Sequence, residues 1–157
     1  MIEVTSRQRL LPVPAADVRA VVRVVFAAQQ AGAPRLAVHV LDDAAIRALN
    51  ARWLGHDRPT DAIAFDYGAD PEARGPRGEV CVSAETAVRE ARARRRDPLD
   101  ELLLYVAHGT LHLLGWDDAT PARRRAMNAR AARLVRAARR ARRARAPRRA
   151  AARKRRR

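Results

Sequence analysis

A chain of 157 residues that is 48% hydrophobic is long enough to bury one core of its own. The single cysteine, Cys81, excludes an internal disulfide and a cysteine-built zinc cage, and the lack of a long apolar run or a signal-peptide pattern leads us to expect a cytoplasmic protein. The formal charge of +16 is lopsided: residues 121–157 hold 18 of the 33 Lys and Arg and none of the 17 acids, so a near-neutral domain precedes a basic segment suited to polyanions.

Ile2 and Val4 alternate with polar residues as in a short strand, and Pro12 and Pro14 then interrupt the chain. Val18, Val21, Val22, Val25 and Phe26 follow helical spacing, which predicts an amphipathic helix ending near Gly32 and Pro34. Leu36, Val38 and Val40 alternate as a strand, with His39 on its other face in a structural or solvent-exposed role. Asp42 or Asp43 can cap a helix on which Ile46, Leu49, Asn50 and Trp53 share a face. A loop from Leu54 to Asp61 leads to a strand over Ala62 to Tyr67. The Gly, Pro and charge of Asp66 to Arg77 predict a flexible surface loop, followed by a short strand from Glu79 to Ser83 and a helix that Ser83 caps and that runs through Arg96. Asp97-Pro98 is a helix start signal, and from Leu99 to Leu114 the helix is apolar nearly all round, as a buried element must be. Thr120-Pro121 starts a last helix with a thin apolar stripe at Met127, Ala131, Leu134 and Ala138. These elements predict a single α+β domain, a small mixed β-sheet packed with helices around a central buried helix, over residues 1–138. We expect residues 139–157, an Arg/Ala-rich tail containing Pro147, to be disordered without a partner.

The chemistry is concentrated in His108-Gly-Thr-Leu-His112-Leu-Leu-Gly115-Trp-Asp117-Asp118. Four residues apart on a helix, the two imidazoles share one face, one turn apart. Gly115 can end the helix and let Asp117 or Asp118 return toward them. Two histidines and one carboxylate leave a position open for water, the pattern of a catalytic rather than a structural zinc site. Two histidines on a buried helix also need polar partners, and a metal ion supplies one. The zinc-protease motif places a glutamate after its first histidine, whereas this chain has Gly109, which disfavours peptide hydrolysis.

The histidine block resembles the signature of the YbeY family, bacterial endoribonucleases and rRNA maturation factors. Leu49-Asn50, Asp57-Arg-Pro-Thr-Asp61-Ala-Ile-Ala-Phe65 and Arg77-Gly-Glu-Val-Cys-Val-Ser83 are similar to other blocks of that family in the same order, and Met127 fits as well. The resemblance covers roughly residues 36 to 135. It implies a single-domain metal-dependent hydrolase, usually with one Zn2+, that cuts single-stranded RNA. The implied role is 16S rRNA 3′ end maturation and ribosome quality control, with rRNA of the small ribosomal subunit as partner. The implied metal ligands are His108, His112 and Asp118. Two positions depart from the family pattern: most members carry a third histidine where Asp118 stands, and many carry an arginine where Leu54 stands. Arg58, in the same loop as Leu54, is then a candidate for reaching the phosphate.

Asp117 has two readings, a residue that orients a ligand histidine or a turn residue after Gly115, and Asp61 reads first as structural. The alternatives to the ribonuclease are a metallohydrolase of another substrate and a non-catalytic ribosome assembly factor with a structural metal and an RNA-binding tail. A bare RNA-binding domain fits less well, because aromatic residues at 4% offer few stacking platforms.

Overall fold

The computed structural model describes residues 1–70 and 75–154. The elements run β1 (Ile2–Ser6), α1 (Ala15–Ala28), β2 (Arg35–Leu41), α2 (Asp43–Leu54), β3 (Ala62–Asp70), β4 (Gly75–Ser83), α3 (Ala84–Arg94), α4 (Pro98–Leu113) and α5 (Pro121–Lys154). The four strands form one sheet in the order β1-β2-β4-β3. β2 pairs parallel with β1 on one side and with β4 on the other, and β3 pairs antiparallel with β4 as an edge strand. The sheet is therefore mixed and the fold is α+β, as the element order predicts.

Strand alternation divides the residues between two cores. Leu36, Val38, Val40, Val80 and Val82 face α1, α4 and α5, where Val18, Val22, Phe26, Leu102, Leu103, Val106, Leu111 and Met127 complete the main cluster. Leu41, Ile63 and Cys81 meet Ile46 of α2 in a smaller cluster. α4 is the central element, touching α1, α3, α5, β3 and β4. Each of its fully buried leucines contributes roughly 1.5–3 kcal/mol by removal from water. Asp97 caps α4, accepting from the Asp100 N–H at 3.0 Å, with Pro98 in the first turn.

One expectation needs correction. The Asp66 to Arg77 segment is not a loop throughout: β3 reaches Asp70 and β4 begins at Gly75, joined by pairs such as Asp66 with Gly78 and Ala69 with Pro76. Cross-strand hydrogen bonds extend the hairpin beyond what local Gly and Pro content suggests. The tip of that loop, residues 71–74, lies outside the described residues. The last helix, α5, runs on past Arg139 to Lys154. Ala and Arg are strong helix formers. Arg139 of this stretch pairs with Asp100 at 3.0 Å and Arg142 pairs with Asp17, so the helix stays docked on α4 and α1 beyond the apolar stripe.

Candidate metal centre and its cleft

The site is assembled by the way α4 stops. Gly115 takes the left-handed conformation, φ +82°. The Gly115 N–H then reaches the His112 carbonyl at 3.0 Å, and the Trp116 N–H reaches the Leu111 carbonyl at 3.1 Å. Those two bonds are the paired closure of a glycine-ended helix. They fold Trp116 back so that its carbonyl lies 3.0 Å from His112 Nδ1. A carbonyl only accepts, so Nδ1 carries the proton and Nε2 presents a lone pair. The Trp116 indole anchors the turn by donating to Gln29 Oε1 at 3.2 Å.

Nε2 of His108 is 3.7 Å from Asp118 Oδ2, and Nε2 of His112 is 3.9 Å from Asp118 Oδ1. The three donor atoms lie within 4.8 Å of one another. Ligands of a tetrahedral zinc at about 2.0–2.1 Å stand roughly 3.4 Å apart, so a small contraction closes this set around one ion. Burial is the main cause that holds the His108 imidazole below its ordinary pKa, and neighbouring His112 adds to it, while Asp61 and Asp118 pull the other way. A neutral imidazole is the form that ligates. The donor set, the tautomer and the protonation state thus all fit a divalent cation.

The three side chains open into a cleft of about 300 Å³ shared with Asp61, Ala62, Ala64, Gly109, Arg124 and Asn128. β3 supplies one wall and the first turns of α5 the other. The Arg124 guanidinium donates to the Asp118 carbonyl at 3.3 Å, which ties the carboxylate-bearing turn to α5. Gly109 explains the missing protease glutamate: a Cβ there would stand 2.6 Å from Val80 Cγ1. α4 crosses β4 so closely that a side chain at that position would force Val80 or the helix to shift.

The structure brings His108, His112 and Asp118 together, and it separates the other candidates. Asp117 is the turn residue of its two readings: it accepts from the Ala119 N–H at 3.1 Å and pairs with Arg123 at 2.6 Å. The Trp116 carbonyl, a backbone group with no sequence signature, orients His112 in its place. Asp61 accepts locally from the Ala62 N–H at 2.9 Å, as its structural reading expects, and also lines the cleft. Arg58 does not line the cleft; its carbonyl accepts from Asn50 Nδ2 at 2.8 Å, and the residue is exposed. The cleft's arginine is Arg124 instead. Sequence reading missed Arg124 and Asn128, although their four-residue spacing beside the core residue Met127 was a usable signal. His39 stands apart, between Thr5 at 2.8 Å and Glu79 at 3.4 Å.

The family model described as endoribonuclease YbeY matches residues 3–139. The chain belongs to the YbeY family. It is 46% identical over 92 residues to the endoribonuclease YbeY of Rhodopirellula baltica, covering 57% of this chain and 46% of that one. It is 43% identical over 113 residues to the endoribonuclease YbeY of Gloeobacter violaceus, covering 68% and 58%. The chain thus spans about half the length of the curated YbeY relatives it matches. The solution structure of TM1509 from Thermotoga maritima superposes with a TM-score of 0.56 at 22% identity, covering 86% of this chain and 89% of that one, which is a likeness of fold.

Proposed function

We propose that this chain is a single-strand-specific, metal-dependent endoribonuclease acting in the cytoplasm on rRNA, in 16S 3′ end maturation and ribosome quality control. The observation that carries this reading is the convergence of His108, His112 and Asp118 in an open cleft beside Arg124, in a member of the YbeY family. His108, His112 and Asp118 would hold one Zn2+. Such an ion, when bound, offsets negative charge on the phosphoryl oxygens and makes water more acidic.

The chain's own residues do the rest. The Trp116 carbonyl keeps the His112 proton on Nδ1 and its ring in place. Arg124 offers its guanidinium to a phosphate entering between β3 and α5, and its bond to the Asp118 carbonyl fixes the distance between that contact and the donors. Asn128, one turn along, supplies a neutral donor and acceptor for sugar or base. Asp61, the residue before β3, adds a carboxylate to that wall of the cleft. The basic C-terminal segment adds phosphate contacts that carry no sequence information.

The test is cleavage of a single-stranded RNA bearing the 16S 3′ end, against the same RNA in duplex form. Wild type, metal-stripped and zinc-resupplied samples are compared. The expected result is cutting of the single strand only, lost on stripping and restored by zinc. Cleavage indifferent to stripping, or no cleavage by fully metallated protein, would overturn the proposal; the second result would favour a non-catalytic assembly factor.

A further inference from the structure

A second basic feature lies further along α5. A cleft of about 470 Å³ between the start of α4 and the middle of α5 is lined by Arg96, Arg136, Arg139, Arg140 and Arg143, with Asp100 as its one acid. Arg139 lies 3.0 Å from Asp100, and Arg96 lies 3.5 Å from Glu101. Among the described residues, no carboxylate stands within ion-pair distance of Arg136, Arg140 or Arg143. This contrasts with Arg47, Arg89, Arg94 and Arg123, each of which has an acidic partner.

The spacing is specific. Positions 136, 139, 140 and 143 follow i, i+3, i+4 and i+7, which places four guanidinium groups on one helix face. That face is held in position: Ala138 is buried, Arg139 clamps α5 to α4 and Arg142 clamps it to α1. Like charges fixed in a cleft repel one another, and a ligand with closely spaced negative charges relieves the repulsion. The planar fork of arginine suits phosphate in particular. Arg136 and Arg143 lie 12 and 19 residues beyond Arg124 of the metal cleft, about 18 and 28 Å along the helix at 1.5 Å per residue.

We propose that this arginine cleft binds the phosphodiester backbone of single-stranded RNA several nucleotides away from the strand segment in the metal cleft. This rests on the ribonuclease reading. α5 then acts as a ruler: a long RNA engages both clefts, whereas a fragment that fills only the metal cleft does not.

The test is binding of a labelled 20-nucleotide single-stranded RNA to the full chain in chelator, over a range of KCl concentrations. Wild type is compared with two triple variants that remove equal charge. One is Arg136→Gln, Arg140→Gln and Arg143→Gln in the cleft; the other is Arg148→Gln, Arg149→Gln and Arg153→Gln further along the chain. Glutamine is a good helix former, and circular dichroism checks that both variants keep their helix. The cleft variant is expected to bind on the order of tenfold more weakly at 0.15 M salt, with a log–log salt slope flatter by about 2, as loss of three single-strand phosphate contacts requires. The second variant is expected to lose less than about threefold. Equal losses would reduce the effect to net charge and overturn the proposal. So would a cleft-dependent affinity for poly-glutamate as high as for RNA, which would point to an acidic protein. No RNA binding by wild type would overturn the ribonuclease reading as well, whereas RNA binding with both variants unaffected would overturn the cleft alone.

Discussion

Gly109 on α4 and Val80 on β4 are in such close approach that a Cβ at position 109 would lie 2.6 Å from Val80 Cγ1. This contact sets how near the histidine helix lies to the sheet, and so how narrow the cleft is between His108 and the Ala62 and Ala64 wall. Gly109→Ala gains about 1 kcal/mol of helix propensity but is expected to destabilise overall, because overpacking a rigid core costs typically 1–3 kcal/mol. Combining it with Val80→Ala should recover part of that loss, a favourable coupling on the order of 1 kcal/mol in a double-mutant cycle of urea unfolding. Strict additivity of the two changes would show that they do not press on each other. Gly109→Glu, which restores the protease pattern, should unfold more readily still and show no peptidase activity.

Asp43 ties three elements together. Its carboxylate accepts from Ser83 Oγ, from Thr86 Oγ1 at 2.7 Å and from Arg89 at 2.9 Å. Burial opposes its ionisation, but the bonds from Ser83, Arg89 and Thr86 outweigh that and hold it below the ordinary carboxylate pKa. A depressed folded-state pKa means the contribution is present above the unfolded value of about 3.9 and is lost as pH falls through the lower folded value. Asp43→Asn should therefore be less stable than wild type by about 1–2 kcal/mol at pH 7, with the gap closing below about pH 4. Urea unfolding at pH 7 and pH 3 measures it, and a gap independent of pH would contradict the role assigned to the charge.

Cys81 is 3% exposed, and burial, with the charge of Glu79, pushes its thiol up to about 11. Only the thiolate reacts, so alkylation at pH 8 should run at least about 100-fold slower than for a free thiol and reach the free rate only on unfolding. Rapid labelling of the native protein, followed by mass spectrometry, would show that the α2 side of the sheet opens.

Local signals served best where local physics decides. Asp97-Pro98 starts α4, Asp42 rather than Asp43 caps α2, Ser83 caps α3 and Gly115 ends α4, because caps depend on a few neighbouring atoms. The pair His108 and His112 was legible from helical spacing alone. What was illegible came from elsewhere in the chain. Arg124 and Asn128 enter the cleft only because α5 packs beside α4, and Arg58, near in sequence to the loop of interest, does not line it. The carbonyl that orients His112 belongs to the backbone and has no residue type to betray it. The extension of β3 and β4 past Asp66 rests on pairing between strands rather than on composition.

Asp118, not its neighbour Asp117, stands against both His108 and His112. The most direct measurement is metal content and single-strand RNA cleavage on the same samples of wild type, Asp118→Ala and Asp117→Ala. Asp117 bonds to Arg123 and Ala119, whereas Asp118 faces both histidines. One ion per chain and cleavage are expected in wild type and Asp117→Ala, with both lost in Asp118→Ala. Full metal content and undiminished cleavage in Asp118→Ala would contradict this expectation.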